Sequence, residues 1–434
     1  MSAAKVSHGV TETRREDSAS VRPTVAPALR FKGFEGGWKW IRLGEKGSFI
    51  GGIGFPESEQ GGESGLPFFK VSDMNIVGNE YTLVAANNYV SQEQVSRFGW
   101  HAVTSLPSIF FAKVGAAVML NRKRLVKTPF LLDNNTMAYS LVGFDDENFA
   151  MGLFEKINLP SFVQIGALPS LSSQILGSYQ IPMPEFPEEQ RRIGDLYRGV
   201  VTSITERQSA LEKLQALKKS MLVNMFPQGD AKVPKIRFKG FEGEWEGVRL
   251  GDEGHTYNGL SGKTSADFGH GAGKYVTYMN VFVNPISKEG QCESVEIDKR
   301  QNEVRPGDVF FTTSSETPDE VGMSSVWLSS GKNTYLNSFC FGYRPHREID
   351  SKFLAYLLRS MSFREKVVKL AQGISRFNIS KGKVMDIHIL MPEKEEQVKI
   401  GEYFYSLDRL IAARRDEIEQ LKHMKAALLN RMFV

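Results

Sequence analysis

Two long segments of the chain place an apolar residue at alternating steps of four and three positions. One covers residues 188–226 and the other residues 395–433. This spacing lines one side of a helix with apolar side chains, and a stripe of about five heptads is typical of paired helices. The residues predicted to pair are Ile193, Tyr197, Val200, Ile204, Leu211, Leu214, Met221 and Met225 in the first helix, and Ile400, Phe404, Leu407, Ile411, Ile418, Leu421, Leu428 and Met432 in the second.

A basic residue interrupts each stripe at the same two steps. These residues are Arg207 and Lys218 in the first helix and Arg414 and Lys425 in the second. The matched length, phase and interruptions favour pairing of the two helices with each other over separate packing of each on its own core. A short polar connection leads from the first helix directly into the next domain, so the pair is predicted to be antiparallel. Each helix would be about 58 Å long.

The two helices end two copies of one repeated unit. Residues 30–45 and 237–252 are identical at eleven of sixteen positions, at an offset of 207. The middles of the copies differ in length and chemistry, and neutral drift and binding of different targets explain this equally well. The predicted segments are a flexible tail at 1–26, a first domain at 27–187, a first spacer helix at 188–226, a linker at 227–233, a second domain at 234–392 and a second spacer helix at 393–433.

Composition limits the classes of protein that fit. A net charge of +4 on 434 residues does not by itself indicate a nucleic-acid partner. The two cysteines are too few for a disulfide framework or a thiolate zinc site. The sequence contains no run of about 18 apolar residues, which a membrane span would need. Residues 1–20 also lack the apolar core of a secretion signal. We therefore expect a cytoplasmic protein with no membrane partner.

The order of the parts resembles the specificity subunit of type I restriction–modification systems. The resemblance rests on the two RFKGFEG openings (Arg30–Gly44 and Arg237–Gly251), the EEQ-x2-IG helix starts, Gly373–Ser380 and residues 259–281. It covers residues 27–433 and implies a mixed α+β fold. Two similar α/β target-recognition domains would be joined by two long antiparallel helices that form a coiled-coil spacer with pseudo-twofold symmetry.

The resemblance also implies a function and partners. Each recognition domain would read one half of a bipartite site in double-stranded DNA. The helices would set the spacing and dock two modification subunits, which carry the methyltransferase, and through them the restriction subunits. No cofactor is expected on this chain, because S-adenosylmethionine would belong to the methyltransferase, and ATP and Mg to the restriction subunit. The first copy departs from the family pattern at Leu171–Ile175 and Gly51–Gly54.

Common catalytic motifs are incomplete in this sequence. Gly259–Thr264 ends like a phosphate-binding loop, but Tyr257 stands where that motif needs glycine. No His-E-x-x-His is present, so a metal hydrolase would lack its ligands, and Asp145–Glu147 is more typical of a solvated turn than of a catalytic dyad. The chain is therefore predicted to be non-catalytic and to bind no metal. The alternative is a self-sufficient duplicated-domain enzyme or a carbohydrate-binding protein.

Candidates for DNA contact lie in the divergent middles. Clustered lysine and arginine suit phosphates, whereas amide and guanidinium groups suit base edges. The candidates are Lys70, Ser72, Asn75, Arg97, Trp100, His101, Arg122, Lys123, Arg124 and Lys127 in the first copy, and Ser261, Lys263, Thr264, Tyr275, Thr277, Tyr278, Asn280, Thr313, Ser314, Arg376 and Asn378 in the second. A solvated loop is the alternative for the basic run that includes Arg122–Arg124 and Lys127, and a simple turn is the alternative for Thr313 and Ser314. Arg376 and Asn378 gain weight from the resemblance alone. Trp38 and Trp245 recur in both openings and are predicted core residues.

Overall fold

The computed structural model describes residues 23–163 and 169–434. Its contacts divide the chain into two units. The first extends to Glu206 and takes in Ile418–Val434, and the second is Arg207–Glu417. The predicted tail lies outside the described residues up to position 22. At its end, Val25 and Trp38 exchange backbone hydrogen bonds, so this part is attached to the first domain. The predicted domain boundaries, which give each long helix a segment of its own, stay a prediction.

The described residues of the first unit form three small sheets. The largest is antiparallel with the order β2-β8-β5-β6, the second has the order β4-β3-β7 with β3 and β7 parallel, and β1 pairs with β9. These strands are β1 (Lys39–Arg42), β2 (Phe49–Gly51), β3 (Leu66–Phe69), β4 (Tyr89–Val90), β5 (Ser108–Ala112), β6 (Lys123–Val126), β7 (Leu131–Leu132), β8 (Thr136–Ser140) and β9 (Gln180–Met183).

Helices cover the sheets of the first unit and lead out of it. They are α1 (Leu43–Lys46), α2 (Gln92–Phe98), α3 (Glu147–Lys156), α4 (Ser173–Ser178) and the long α5 (Pro187–Asn224). Short 3-10 turns lie at Glu57–Glu59, Val71–Asn75, Ala116–Leu120 and Leu159–Phe162. Every residue of β5 is buried, which its continuous apolar run SIFFA explains, and Trp38 packs in the same core as predicted.

The second unit repeats this strand order. Its sheets are β11-β18-β14-β16, β13-β12-β17 with β12 and β17 parallel, and β10-β20, and β15 pairs additionally with β19. The strands are β10 (Glu246–Arg249), β11 (Gly254–Asn258), β12 (Phe268–Val276), β13 (Cys292–Val295), β14 (Val309–Thr312), β15 (Ser314–Ser315), β16 (Ser324–Val326), β17 (Thr334–Leu336), β18 (Cys340–Pro345), β19 (Phe377–Asn378) and β20 (His388–Met391).

The helices of the second unit complete a mixed helix and sheet fold, as expected. They are α6 (Tyr278–Val283), α7 (Ser351–Leu357), α8 (Met361–Val368), α9 (Lys381–Met385) and the long α10 (Lys394–Met432). Its 3-10 turns are Leu250–Asp252, Ser265–Asp267, Glu289–Gln291 and Pro318–Glu320. Trp245 is buried in the core of this unit, as predicted.

A buried ion pair binds the opening motif of each domain to the first turn of its long helix. Arg30 donates from Nε and Nη2 to both carboxylate oxygens of Glu189, at 2.6 and 2.8 Å, and from Nη1 to a backbone carbonyl. Arg237 and Glu396 repeat this geometry at 2.8 and 2.7 Å. Both glutamates are fully buried. The RFKGFEG and EEQ motifs therefore form a structural joint between domain and helix.

The Ile-Gly step of the same motif lets a domain helix touch the long helix. Asp146 caps the N-terminus of α3 and Asp350 caps that of α7. A Cβ on Gly194 would lie 1.9 Å from Asp146 Oδ1, and one on Gly401 would lie 2.6 Å from Asp350 Oδ1. Only glycine permits so close an approach. Within the acidic run Asp145–Glu147, Asp146 is thus a helix cap.

The predicted helical stripe serves two purposes. All of its residues are buried or half-buried. The ends of the stripe belong to the domain cores, where residues of both long helices pack together. The end residues are Ile193, Tyr197, Leu428 and Met432 in the first core, and Met225, Ile400 and Phe404 in the second.

Ion pairs show the direction of pairing within the second unit. Lys218 pairs with Asp408, and Arg207 lies 3.5 Å from Glu417. Later residues of α5 thus meet earlier residues of α10, so the two helices are antiparallel there, as predicted. Arg414 donates to the same Glu417 at 2.7 Å. The predicted interruptions in the stripe are therefore polar contacts.

Candidate nucleic-acid interface

The basic run of the first domain is tied to the turn that carries Asn75. Arg122 Nη1 donates to Asn75 Oδ1 at 2.6 Å, and Arg124 Nη2 donates to the carbonyl of Met74 at 3.3 Å. Burial lowers the pKa of the Arg124 guanidinium. The structure therefore brings Asn75, Arg122 and Arg124 together, with Asn75 exposed and both arginines half-buried.

Lys123 lies inside the domain. Its side chain is only 4% exposed, and Nζ donates to Asn121 Oδ1 and to the carbonyl of Ile157, both at 2.7 Å. Burial lowers the pKa of Lys123 to about 8. We therefore revise its predicted role from a phosphate contact to a buried donor that joins two loops.

A second group in the first domain surrounds the turn Glu57–Glu59 and the residue after it. Lys70 Nζ donates to Gln60 at 3.0 Å, and Arg97 pairs with Glu59. Trp100 stacks on Phe98 and meets Phe55 and Phe68 edge-on, so it is a packing residue as much as a surface one. The remaining first-copy candidates are the exposed residues Ser72, His101 and Lys127. Of these, Lys127 forms an ion pair with Glu147.

In the second domain, the Gly-rich loop forms a polar cluster of its own. Lys263 Nζ lies 3.3 Å from Asp298 and 3.7 Å from Asp267. The N–H and hydroxyl of Thr264 donate to Asp267 and lower the pKa of that carboxyl. The backbone N–H of Ser261 donates to the side-chain oxygen of Gln301, and the Gln301 amide donates to the Ser261 carbonyl. The loop thus carries internal ion pairs in place of a phosphate cradle.

A groove of about 630 Å³ brings together predicted residues from three distant segments. Tyr278 comes from α6, Ser314 from β15 and Arg376 from the segment before β19. Tyr278 donates from its hydroxyl to the Ser314 carbonyl at 2.7 Å. Asn378 pairs with Ser314 in the β15–β19 ladder, which places it at the same edge. Arg376 and Asn378 are exposed, so this groove presents donors and acceptors to a ligand.

Other second-copy candidates are occupied within the protein. Thr277 caps α6 by accepting from the Asn280 N–H, and Asn280 is 1% exposed with its amide bonded to Lys288. Thr313 donates to the Phe339 carbonyl at 2.8 Å. We therefore revise Asn280 to a buried residue that shapes the loop after α6.

Tyr275 of β12 is also paired inside the protein. Its hydroxyl donates to Glu293 at 2.6 Å, and burial followed by this carboxylate raises the pKa of Tyr275 to about 12. The hydroxyl therefore stays protonated at neutral pH, where it serves as a hydrogen-bond donor.

Two half-buried arginines that the sequence analysis does not single out hold the walls of the groove. Arg359 donates to the carbonyls of Val281, Phe282 and Asn284 at 2.8–3.0 Å. It thereby provides hydrogen-bond donors for carbonyl groups at the C-terminal end of α6, which have no partner within the helix. Arg364 donates to three carbonyls around Pro318–Glu320, the turn that contributes Glu320 to the groove. No sequence motif separates these arginines from exposed ones.

Neither a metal centre nor a membrane span is found in the part of the chain that the structure describes. Within residues 23–163 and 169–434, no group of three or more His, Cys, Asp or Glu side chains is placed to hold a metal ion. In the same residues, no helix is long and apolar enough to cross a membrane.

Sequence comparison finds similarity to type I restriction–modification proteins. Residues 242–423 match the family model of the type I restriction modification DNA specificity domain. The chain is 25% identical over 293 residues to the type I restriction enzyme MjaVIII specificity subunit of Methanocaldococcus jannaschii, covering 61% of this chain and 63% of that protein. It is 24% identical over 272 residues to a putative MjaX specificity subunit of the same organism, covering 60% of each. The chain thus spans less than two thirds of the length of these relatives.

A solved structure shares the fold over nearly the whole chain. It is the crystal structure of the S subunit of a type I restriction–modification system from M. genitalium, with a TM-score of 0.57 and 13% identity. The alignment covers 94% of this chain and 99% of that one. At this identity the likeness concerns the fold alone.

Proposed function

We propose that this chain, which belongs to the family of type I restriction–modification specificity subunits, is the DNA-reading subunit of such a complex. The matched specificity domain and the relatives confirm the family predicted from the sequence. Each unit would read one half of a bipartite site in double-stranded DNA. The chain itself would be non-catalytic. Modification subunits would supply S-adenosylmethionine-dependent methylation, and restriction subunits would supply ATP- and Mg-dependent cleavage.

One observation carries this proposal: the two units have the same strand order but different polar surfaces. In the second unit, the groove offers Tyr278, Ser314 and Arg376. In the first, the exposed polar side chains include Asn75 and His101. Because base edges are distinguished by the pattern of donors and acceptors, two such surfaces would read two different half-sites.

The long helices would fix the distance between the half-sites. Antiparallel pairing of α5 with α10 would relate the two domains by a pseudo-twofold axis. Such an arrangement suits duplex DNA, where half-sites one helical turn or more apart, about 34–36 Å, are addressed by symmetry-related readers. Part of the exposed surface of the helices would dock two modification subunits.

The test is a domain exchange followed by sequencing of methylated DNA. The chain is co-expressed with its modification subunits, and residues 46–170 are replaced by the corresponding segment of another specificity subunit. We expect only one half of the methylated site to change. The matched exchange of residues 254–378 should change only the other half. A change of both halves by either exchange would contradict the modular arrangement.

Two further results would distinguish the alternative functions. Lengthening both helices by one heptad should alter the unread gap and leave both half-sequences unchanged. The purified chain without modification subunits should not methylate DNA, and methylation by the chain alone would show a self-sufficient enzyme instead.

A further inference from the structure

Each unit has a cleft beside its long helix, next to the loop that follows a short helix. In the first unit the cleft has a volume of about 420 Å³ and lies between α5 and residues 78–84. In the second unit it has a volume of about 700 Å³ and lies between both long helices and Val283–Lys288. The two clefts correspond, because Thr202 of the first stands 207 residues before Arg409 of the second.

The two clefts differ in charge. The first balances Lys127 and Arg198 against Glu80 and Glu206. The second has a single acid, Asp408, and five basic residues: Lys218, Lys219, Lys288, Arg409 and Arg415. The duplication thus produced one cleft with no net formal charge and one with a formal charge of +4.

Four of these basic residues are available to a ligand. Lys218 is paired with Asp408. The other four side chains are exposed, and among the described residues none has a carboxylate within ion-pair distance: Lys219, Lys288, Arg409 and Arg415. Cations gathered in one cleft repel each other and raise the local concentration of anions. The cleft is therefore suited to a ligand with several negative charges.

The basic cleft lies beside the candidate DNA-reading groove. Helix α6 begins at Tyr278, which lines the groove, and ends at Val283, which lines the cleft. Its six residues span about 9 Å. A polyanion bound in the cleft would therefore lie immediately next to a base pair read in the groove.

We propose that this cleft binds the phosphate backbone of duplex DNA next to the half-site read by the second unit. The inference rests on the function proposed above. Arg409 and Arg415 are six residues apart on α10, about 9 Å along the axis. One DNA strand has a phosphate about every 3.4 Å of axis, so this separation exceeds the step between successive phosphates and suits a row of phosphates rather than a single one. The neutral cleft of the first unit would make no such contact.

The test measures how DNA binding depends on salt. The complex with modification subunits is titrated with a duplex that carries its methylated site, from about 50 to 200 mM salt. In the triple variant Lys219→Gln, Arg409→Gln and Arg415→Gln, we expect Kd near 100 mM salt to rise about tenfold or more. The plot of log Kd against log salt should flatten by about 0.9 for each phosphate that the variant no longer neutralises. The preference for the correct site over a scrambled one should not change.

Two sets of variants serve as controls. Lys213→Gln, Lys235→Gln and Lys239→Gln remove three exposed charges of the same unit outside the cleft and should leave the slope unchanged. Arg409→Lys with Arg415→Lys keeps both charges and should keep the slope.

Several outcomes would overturn the inference. If the cleft variant and the control triple reduce the slope of log Kd against log salt equally, the basic residues of the cleft bind DNA no more than other exposed lysines of the unit do. An unchanged slope, together with binding of inorganic triphosphate that only the wild-type cleft supports, would indicate a free polyphosphate site instead. In both cases a wild-type complex that still methylates a defined site leaves the proposed function intact. A wild-type complex that recognises no site would overturn both proposals.

Discussion

The two units of the chain agree at their joints to the long helices and differ at their polar surfaces. Each joint consists of an arginine bound to a buried glutamate by two hydrogen bonds, and the distances in the two copies differ by no more than 0.2 Å. The candidate reading surfaces share neither the residues nor the charge. The groove of the second unit includes the exposed Arg376. In the first unit, by contrast, Arg122 of the basic run is hydrogen-bonded to Asn75 of its own domain.

This contrast separates what the repeat must keep from what it can vary. A buried ion pair tolerates little change, because removal of one partner leaves an uncompensated charge in the core. Exposed loop residues carry no such penalty. The residues that made the repeat recognisable are therefore structural, and the residues that would determine specificity lie where the copies do not match.

The largest expected effect comes from breaking the joint. Arg237→Met leaves Glu396 buried without its partner and should destabilise the second unit by about 3–5 kcal/mol. Arg30→Met should cost the first unit somewhat less, because Trp38 Nε1 also donates to Glu189, at 3.3 Å. In the second unit the corresponding indole N–H has no partner among the described residues. Urea unfolding of both variants tests this order.

The matched control replaces the carboxylate as well. Glu396→Gln combined with Arg237→Met removes the buried charge and should recover part of the stability. Equal destabilisation by Arg30→Met and Arg237→Met would contradict the role assigned to Trp38.

A second effect, of about 3 kcal/mol, is expected from Lys123 of the first unit and should depend on pH. Burial lowers the pKa of Lys123 to about 8, below its usual value near 10.4. Between these values the folded protein binds fewer protons than the unfolded one. The free energy of unfolding should therefore rise as pH increases from about 8 to 10.4, and this gain is absent below pH 8.

The control for this effect is Lys123→Met, which should show no such rise. Unfolding in urea at pH 7.5, 9 and 10 compares the two proteins. If the free energy of unfolding changes with pH in the same way for both proteins, the pKa of Lys123 is not lowered by burial. The second unit offers no counterpart, since β16 contains no lysine.

A smaller effect, about 1–3 kcal/mol in discrimination between bases, is expected from Arg376→Ala. Because Arg376 is exposed in the groove of the second unit, the variant should relax one position of one half-site and leave the other half unchanged. Arg122→Ala is the matched variant in the first unit and should leave the second half-site intact. Sequencing of methylated sites measures both, and a change in both halves by either variant would refute the assignment.

The smallest effect concerns two lysines at corresponding helix positions with different partners. Lys218 pairs with Asp408 of α10, whereas Lys425 pairs with Glu155 of α3. Both pairs are part-exposed, so each should contribute about 1 kcal/mol or less. Double-mutant cycles with Lys→Met and Asp→Asn or Glu→Gln should give coupling within each pair and none between Lys218 and Glu155. Coupling that persists in high salt would contradict this magnitude.

Much of the architecture could be predicted because its signals are local. The heptad stripe predicted both long helices, and the repeated openings predicted Trp38 and Trp245 in the cores. The candidate site was less predictable. Lys123 and Arg124 are neighbours in one basic run, yet the first is buried and the second half-buried, because alternate residues of a strand face opposite sides. The strand was not recognised in a sequence that reads as a charged loop.

The sequence by itself determined the duplication, the two long helices and their polar interruptions, since periodicity and identity are properties of the chain. Only the tertiary structure decided which polar residues meet. It joins Tyr278, Ser314 and Arg376 in one groove from segments up to about a hundred residues apart, and it bonds Arg359 to the carbonyls that end α6. The physical reason is that burial and hydrogen bonding depend on what the rest of the chain brings to a residue. A lysine or arginine has the same letter on a solvated loop, in a buried network or in a basic cleft.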